Sequence, residues 1–167
     1  MDRRVYIRHG EKAYDNNLKR EYGLDPPLTP SGKEAALALA QELISKYGHP
    51  ARIVSSPFLR CRETAAALAQ VAGIPDVELD RELGEYLGNK TVSTLEGLVR
   101  AETLAAQPYI NETFSQLCKR ALSHTQGQRP SSCWYVSHGL VISRIAKAEG
   151  INLASPGYLG YHLSPAS

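Results

Sequence analysis

The stretch Arg4-Val5-Tyr6-Ile7-Arg8-His9-Gly10-Glu11 opens with an apolar run and closes in charged and polar residues. A short apolar run of this kind predicts a buried strand, and the polar residues after it predict a loop. The same pattern returns at Arg52-Ile53-Val54, which leads into Ser55-Ser56-Pro57, and at Cys133-Trp134-Tyr135-Val136, which leads into Ser137-His138-Gly139. Segments with apolar residues at helical spacing separate these runs. That alternation indicates an α/β fold with a mostly parallel sheet.

The remaining elements follow from proline, glycine and apolar spacing. In chain order we predict a helix that opens at Thr29-Pro30 and ends at Gly48, a helix over 59–72, a strand over 77–79, an extended loop over 83–88, helices over about 94–106 and 112–123, a helix through Ile142 that Gly150 stops, and a last strand over 158–163. Helices between parallel strands cover both faces of a sheet, so we predict a three-layer α/β/α fold. No linker or repeat interrupts the pattern, and residues 1–167 are predicted to form a single domain.

The charge balance and the cysteines exclude several classes of protein. The 167 residues include 19 Lys and Arg against 17 Asp and Glu, a formal net charge of +2, so nucleic acid is not expected as a partner. Cys61, Cys118 and Cys133 form no CxxC pair, which excludes a zinc ribbon and favours reduced thiols. No apolar stretch reaches the ~20 residues of a membrane span, and no secretory signal is evident. We therefore expect a cytoplasmic protein without a membrane partner.

Charged and imidazole side chains follow the predicted strands at the points where those strands end. Arg8 and His9 follow the first strand, Arg60 the second, Glu85 the third and His138 the fourth. Each residue alone has an ordinary structural explanation, as a solvated charge or a hydrogen-bonded histidine. Ligand sites in open α/β sheets lie beyond the carboxyl ends of the strands, where these five residues would meet. Two arginines and two histidines at one edge predict an anion site, and phosphate fits the arginine fork.

The order of these motifs is similar to that of a known family. Arg8-His9-Gly10-Glu11 resembles the Arg-His-Gly-Glu signature of the histidine phosphatase superfamily, the phosphoglycerate-mutase-like enzymes. Further matching blocks follow in the family's order and spacing: Leu28-Thr29 with Gly32; Ser55-Ser56-Pro57 with Arg60 and Thr64-Ala65; Leu83-Gly84-Glu85 with Gly88; Glu112-Thr113 with Arg120; and Val136-Ser137-His138-Gly139. The resemblance covers about Val5 to Leu163, nearly the whole chain.

The resemblance implies a role for each matching site residue. His9 corresponds to the nucleophile that becomes phosphorylated, and Glu85 to the proton donor for the leaving group. The phosphoryl oxygens are expected to contact Arg8, Arg60, His138 and the Gly139 amide. The resemblance implies no metal and no other cofactor, since fixed cations take the place of a metal ion at the phosphate.

Elementary chemistry sets conditions on these groups. His9 must be a neutral imidazole with a free lone pair, and the nearby arginines disfavour its protonated form. A backbone acceptor at the other ring nitrogen would fix the tautomer. We expect a protonated His138 to help stabilise the charge of the transferred phosphoryl group. Glu85 must carry a proton before it can donate one, so we expect its pKa to lie above the ordinary value.

Departures from the family's mutases bear on the substrate. Where those mutases usually have Ser, Trp and Asn, this chain has Lys12, Tyr14 and Asp15. Only 53 positions separate Glu85 from His138, which leaves room for two helices and little lid. An open site admits water to a phosphohistidine and admits a bulky substrate.

The sequence therefore predicts a metal-independent phosphatase, a short member of its superfamily. Its expected partners are phosphomonoester substrates, either small molecules or phosphoproteins carrying phosphotyrosine or phosphohistidine. Two alternatives stay open: a phosphoglycerate-type mutase, and a non-catalytic module that binds phosphorylated ligands. The physiological substrate and the oligomeric state are not determined at this stage. Tyr14, Tyr22 and Tyr86 are candidates for the substrate rim, whereas Tyr158, Tyr161 and His162 are expected to pack on the sheet edge.

Overall fold

One mixed sheet organises the part of the chain that the computed structural model describes, residues 3–13, 23–88, 90, 99–106, 111–127 and 132–165. Its strands in chain order are β1 (Arg4–Arg8), β2 (Arg52–Ser55), β3 (Glu78–Leu79), β4 (Cys133–Ser137) and β5 (Tyr161–Leu163). Their spatial order is β3-β2-β4-β1-β5, and only β5 runs antiparallel to its neighbour. The prediction of a mostly parallel α/β sheet is confirmed.

The register of the parallel strands brings the polar motifs that follow them to one edge. Arg8, the last residue of β1, lies opposite Ser137, the last residue of β4. Ser55 at the end of β2 lies opposite Val136 on the other side of β4. The loops that begin with His9, Ser56 and His138 therefore leave the sheet side by side, as expected for parallel strands.

The helices within the described residues are α1 (Pro30–Tyr47), α2 (Leu59–Ala72), α3 (Ala101–Ala106), α4 (Phe114–Gln126) and α5 (Gly139–Ala148), with a 3-10 turn over Arg81–Leu83. The Thr29 hydroxyl caps α1 by accepting the Gly32 N–H, and Pro30 occupies the first turn, where no N–H is needed. At the other end, Gly48 adopts a positive φ of 82°. Thr113 and Gln116 form a capping box on α4.

Alternate residues of the central strands pack into two separate cores. Val5 and Ile7 point to the side covered by α1 and α2, where Leu43 and Leu68 are fully buried. Tyr6 points to the opposite side, in one cluster with buried residues of α4 and α5 such as Leu117 and Ile142. The period of two along β1 thus builds the three layers. No helix in the described ranges has the length and apolar character needed to cross a bilayer.

Several element boundaries differ from the prediction: α4 runs over Phe114–Gln126 where 112–123 was expected, β3 begins at Glu78 where 77 was expected, and larger differences affect α3 and the last strand. Of the helix expected over 94–106, positions 94–98 lie outside the described residues, and Val99 and Arg100 are not helical, so α3 begins at Ala101. Buried Val99 forms an isolated bridge instead of a helical turn. The last strand begins at Tyr161, not at Tyr158, because residues 157–160 make a turn in which the Gly160 N–H donates to the Gly157 carbonyl.

Candidate active site

His9 lies just beyond β1 with one ring nitrogen held by the backbone. Its Nδ1 is 2.8 Å from the Gly10 carbonyl oxygen. Because a carbonyl only accepts hydrogen bonds, Nδ1 carries the hydrogen and Nε2 keeps its lone pair. The Nε–H of Arg60 donates to that Nε2 over 3.1 Å. The side chain is 3% exposed, so a neutral imidazole with an oriented lone pair stands in a largely enclosed position.

The loop after His9 is held by α1 and α2. The Gly10 N–H donates to the Thr64 hydroxyl over 2.9 Å, and this hydroxyl in turn donates to the Arg60 carbonyl. A side chain at Gly32 would place its Cβ 2.6 Å from the Glu11 carbonyl oxygen. The glycine of the helix-opening motif thus permits close contact between the start of α1 and the catalytic loop.

Arg60, in the first turn of α2, is fixed by contacts on several sides. Its Nη1 donates to the Leu24 carbonyl over 3.1 Å and lies 3.8 Å from the Asp25 carboxylate. Asp25 is fully buried and accepts from the Leu59 N–H and the Thr103 hydroxyl, each at 2.7 Å. Sequence reasoning missed Asp25, because an aspartate before Pro26 in a loop looks like an ordinary turn residue.

Glu85 and His138 meet Arg60 at the centre of the site. Oε2 of Glu85 lies 2.9 Å from Arg60 Nη2 and 3.1 Å from His138 Nδ1. A carboxylate only accepts, so this contact favours the His138 tautomer with hydrogen on Nδ1. His138 Nε2 lies 2.9 Å from the Ser56 hydroxyl, which follows β2. Glu85 keeps 26% of its side chain exposed, and it is therefore reachable from solvent.

The electrostatics of the two histidines follow from burial among cations. Burial, together with His138, Arg60 and Arg8, lowers the pKa of His9 to about 2, against the weaker opposing effect of its Gly10 hydrogen bond. Burial also lowers the pKa of His138, with Arg60 acting in the same direction and Glu85 opposing. This direction opposes the expected protonation of His138, because the buried ring lies beside a permanent guanidinium charge.

The pKa of Glu85 is also the reverse of the expectation. Burial by itself raises this pKa, but the His138 ring and the Arg60 guanidinium outweigh burial and lower the pKa below its ordinary value. Glu85 is therefore ionised in contact with these two partners. A bound phosphate would compete for both partners and add negative charge beside the carboxylate, which are the two changes that raise a carboxyl pKa.

Arg8 and Gly139 lie at the side of the site next to the segment that connects α5 to β5. Arg8 Nη1 donates to the Pro156 carbonyl over 2.6 Å, and its guanidinium carbon lies 4.8 Å from the centre of the Tyr158 ring. The buried Nε of Arg8 has no hydrogen-bond partner among the described residues. Gly139 is the first residue of α5, and a Cβ there would collide with the Ser155 hydroxyl.

The structure thus gathers His9, Arg60, Glu85 and His138 into one contact network, with Arg8 and Gly139 beside it. Lys12 lies close enough to this network to be affected by its charges. Burial lowers the pKa of Lys12, and Arg60 and Arg8 lower it further, whereas Glu85 acts against this decrease.

The tyrosine predictions have mixed outcomes. The Tyr86 ring packs edge-on to Phe114 at 6.3 Å, and its place on a substrate rim stays a prediction. Tyr14 and Tyr22, like Asp15, lie outside the described residues. Tyr161 and His162 lie on β5 at the sheet edge as expected. Tyr158 does not, because the turn before β5 brings its ring to 5.8 Å from the His9 ring.

A separate polar cluster has the composition of a metal site. Asp80, Glu82 and His124 hold one potential ligand atom each within 4.8 Å of one another. His124 is fully buried on α4, with its Nδ1 3.4 Å from Glu82. Asp80 accepts the Glu82 N–H and thereby caps the 3-10 turn, which gives its carboxylate a structural role. Within the described chain, this group shares no residue with the histidine network above.

Comparisons with known proteins agree with this arrangement. Residues 5–166 match the model of the histidine phosphatase superfamily, branch 1. The chain is 36% identical over 107 residues to glucosyl-3-phosphoglycerate phosphatase of Mycolicibacterium vanbaalenii, covering 64% of this chain and 44% of that protein. It is 33% identical over 112 residues to phosphoglycerate mutase-like protein 4 of Arabidopsis thaliana, covering 66% of this chain and 46% of that protein. These matches span less than half the length of either relative.

Solved structures show the same fold at low sequence identity. Ecdysone phosphate phosphatase of Bombix mori, solved with tungstate, superposes with a TM-score of 0.72 at 16% identity and covers 98% of this chain and 88% of that chain. The family match over nearly the whole chain, with the motif residues gathered at the carboxyl edge of the sheet, leads to one conclusion. The chain belongs to the histidine phosphatase superfamily, branch 1.

Proposed function

We propose that this protein hydrolyses phosphomonoesters through a phosphohistidine at His9, without a metal ion. The observation that carries the proposal is the state of the His9 ring. Its Nδ1 is tied to the Gly10 carbonyl, which leaves the Nε2 lone pair directed toward Arg60. Since the pKa of this histidine is lowered to about 2, it is a free nucleophile at any physiological pH.

The cations around His9 suit a phosphoryl group. Arg60 donates to His9 Nε2, the His138 ring lies 5.5 Å from the His9 ring, and both residues also contact the Glu85 carboxylate. Arg8 offers a buried Nε–H with no partner among the described residues, and Gly139 begins α5, whose N-terminus favours negative charge. We propose that Arg8, Arg60, His138 and the Gly139 amide bind the phosphoryl oxygens, which would otherwise need a metal ion.

In the first step, His9 Nε2 attacks phosphorus and the bond from phosphorus to the ester oxygen breaks. Glu85 donates a proton to that oxygen, so that an alcohol leaves in place of an alkoxide. Because Glu85 is ionised in the free site, its proton arrives with the substrate, whose monoanion is populated near and below its second pKa of about 6. The Arg60 contact with Nε2 gives way as phosphorus approaches.

In the second step, water attacks the phosphohistidine. The Glu85 carboxylate now accepts a proton from the water, the bond from His9 Nε2 to phosphorus breaks, and inorganic phosphate leaves. The 26% exposure of Glu85 gives water a route to this carboxylate. The proton that Glu85 takes from water then leaves with the product as H2PO4−, so Glu85 is again ionised and the protein is unchanged after a cycle.

The relatives include both named phosphatases and named mutases, and they do not choose a substrate. One relative is named a glucosyl-3-phosphoglycerate phosphatase, and a structural neighbour is a phosphoserine phosphatase. The similarity to a phosphoglycerate mutase-like protein keeps phosphoryl transfer back to a glycerate as the second candidate. Both reactions begin at the same phosphohistidine, and they differ in whether water or the glycerate accepts the phosphoryl group.

The test is hydrolysis of nitrophenyl phosphate in EDTA by the wild-type protein, His9→Ala and His49→Asn. We expect His9→Ala to lose turnover and acid-labile phosphate on the protein. His49→Asn is the matched control, because His49 packs near Ala72, at the end of α2 opposite to Arg60, and should keep wild-type activity. Phosphate release by His9→Ala at near-normal rates would rule out the mechanism. If no form of the protein releases phosphate but the wild type still binds it, the protein is a binding module. If the wild type isomerises phosphoglycerate in a parallel incubation, the protein is a mutase.

A further inference from the structure

The segment between α5 and β5, residues 151–160, is anchored where it begins and ends. Glu149 precedes the segment, and its carboxylate lies 2.7 Å from both the His162 ring and the Ser164 hydroxyl, which follow it. Arg4 of β1 approaches the same carboxylate at 3.5 Å. These contacts tie the two ends of the segment together. The middle of the segment therefore lies against the end of β1, where the candidate active site is.

Three contacts join the middle of the segment to Arg8. The Arg8 backbone N–H donates to the Gly160 carbonyl over 2.9 Å, and Nη1 donates to the Pro156 carbonyl over 2.6 Å. The Tyr158 ring lies under the guanidinium, with 4.8 Å from the guanidinium carbon to the ring centre. A cation at this distance from a tyrosine face is attracted by the ring quadrupole. The Nε–H stays unpartnered among the described residues.

The turn that presents Tyr158 has an unfavourable backbone. Leu159 adopts a φ of 56°, a region that a leucine rarely enters. Its N–H lies 3.4 Å from the His9 carbonyl, and the Gly160 N–H closes the turn on Gly157. Strained residues persist where surrounding contacts over-determine them, often at ligand sites. Tyr158 itself is 44% exposed, so burial of its ring does not explain why the turn is maintained.

We infer that Tyr158 is a positioning residue that, with the Pro156 carbonyl, holds the Arg8 guanidinium in the orientation that receives a phosphate oxygen. The inference rests on the proposed function only in taking phosphate as the ligand of Arg8. An arginine has five N–H donors on a planar fork, and Pro156 occupies one of them. The ring restricts rotation of the fork, which leaves the Nε edge free for the anion. Loss of the ring therefore weakens phosphate binding for every substrate alike.

The experiment measures binding of inorganic phosphate by calorimetry, together with kcat/KM for an aryl and an alkyl phosphate. The variants are Tyr158→Leu and Tyr158→Phe, each in the wild-type and the Arg8→Ala background. Tyr47→Leu is the matched control, because Tyr47 packs edge-on to Tyr161 at the far end of α1. Thermal unfolding checks that each variant folds, and Tyr158→Met replaces the leucine variant if that one does not.

We expect Tyr158→Leu to raise the phosphate dissociation constant about 2-fold to 30-fold, the range of a cation–π contact. Both kcat/KM values should fall by the same factor. Tyr158→Phe and Tyr47→Leu should stay within 2-fold of wild type. In the Arg8→Ala background, Tyr158→Leu should add almost nothing, because its effect passes through Arg8.

Two results would overturn the inference. An equal loss in both backgrounds would show that Tyr158 acts independently of Arg8. A loss confined to the aryl phosphate, with unchanged phosphate binding, would show that the ring contacts the leaving group instead. A wild-type protein that hydrolyses nothing while Tyr158→Leu still weakens phosphate binding would contradict the proposed function and leave the positioning role of Tyr158 intact.

Discussion

A backbone carbonyl decides the tautomer of His9, the proposed nucleophile. The hydrogen bond from His9 Nδ1 to the Gly10 oxygen selects that tautomer, and burial, together with His138, Arg60 and Arg8, prevents a second proton. The pKa of Glu85 is lowered as well, because the His138 ring and the Arg60 guanidinium outweigh the effect of burial. One cluster therefore favours the deprotonated form of both groups, which is neutral for the histidine and charged for the carboxylate. In the proposed mechanism, Glu85 gains its proton only with the substrate.

The leaving-group dependence of Glu85→Gln tests the acid role. Glutamine cannot donate a proton as an acid, so we expect kcat to fall about 10²-fold to 10⁴-fold for an alkyl phosphate. For nitrophenyl phosphate, whose leaving group needs no proton, the loss should be at least 10-fold smaller. The measurement is a series of esters with leaving groups of graded acidity.

Glu42→Gln, which removes an exposed carboxylate from α1, controls for a general change in charge and should leave the series unchanged. Equal losses across the series for Glu85→Gln would contradict an acid role.

At the scale of elements, the start of α1 shapes the loop that carries the Gly10 carbonyl. Thr29 donates its backbone N–H to the Glu11 carbonyl, and its hydroxyl lies 2.8 Å from the Glu11 carboxylate. A Cβ on Gly10 would come to 3.0 Å from the Gly32 carbonyl oxygen. The helix opening and the catalytic loop therefore contact each other through backbone on both sides, and neither can shift alone.

Gly32→Ala tests this coupling. The added methyl group would come to 2.6 Å from the Glu11 carbonyl oxygen, so the loop must move. We expect the free energy of unfolding to fall by about 1–3 kcal/mol, and activity to fall because the acceptor of His9 Nδ1 shifts. Denaturant unfolding and nitrophenyl phosphate turnover measure the two effects.

Ala35→Gly is the control for helix stability, since Ala35 is exposed in the same part of α1. It should lower stability by about 1 kcal/mol and keep full activity. An active and fully stable Gly32→Ala protein would refute the proposed contact between α1 and the loop.

The whole molecule has a stability that depends on keeping its active-site histidines neutral. The pKa of His9 is about 2 in the folded state against an ordinary 6.5, so only the unfolded chain takes up a proton between these values. The free energy of unfolding is therefore unaffected by protonation of His9 above pH 6.5. Below pH 6.5 it decreases, because protons bind to His9 of the unfolded chain and not to the buried ring. His138, with its pKa also lowered, acts in the same direction.

We therefore expect the free energy of unfolding to decrease between pH 7 and pH 5, with about 2 kcal/mol of the decrease due to His9. His9→Asn, which has no group to titrate, should show a correspondingly shallower pH dependence in urea unfolding. Glu85 adds nothing to this difference, because its lowered pKa matters only below its ordinary value of 4.5. Identical slopes for the two proteins would show that His9 is not buried as a neutral ring.

The fold and most of the site could be predicted because their signals are local. Apolar spacing marks β1 and α1 within a few residues, and His9 and His138 directly follow the ends of β1 and β4. Parallel pairing then brings those strand ends together without further information. The boundary of α3 could not be predicted in the same way, because Val99 continues the apolar spacing of a helix but forms an isolated β-bridge.

The sequence by itself determined the family, the layered α/β fold and which residues meet at the carboxyl edge of the sheet. Only the tertiary structure decided their protonation and their partners. The ionised state of Glu85 depends on distances to Arg60 and His138, and Arg8 finds the Pro156 carbonyl 148 positions along the chain. Electrostatic effects vary over single ångströms, whereas the spacing of motifs specifies only which loops are neighbours.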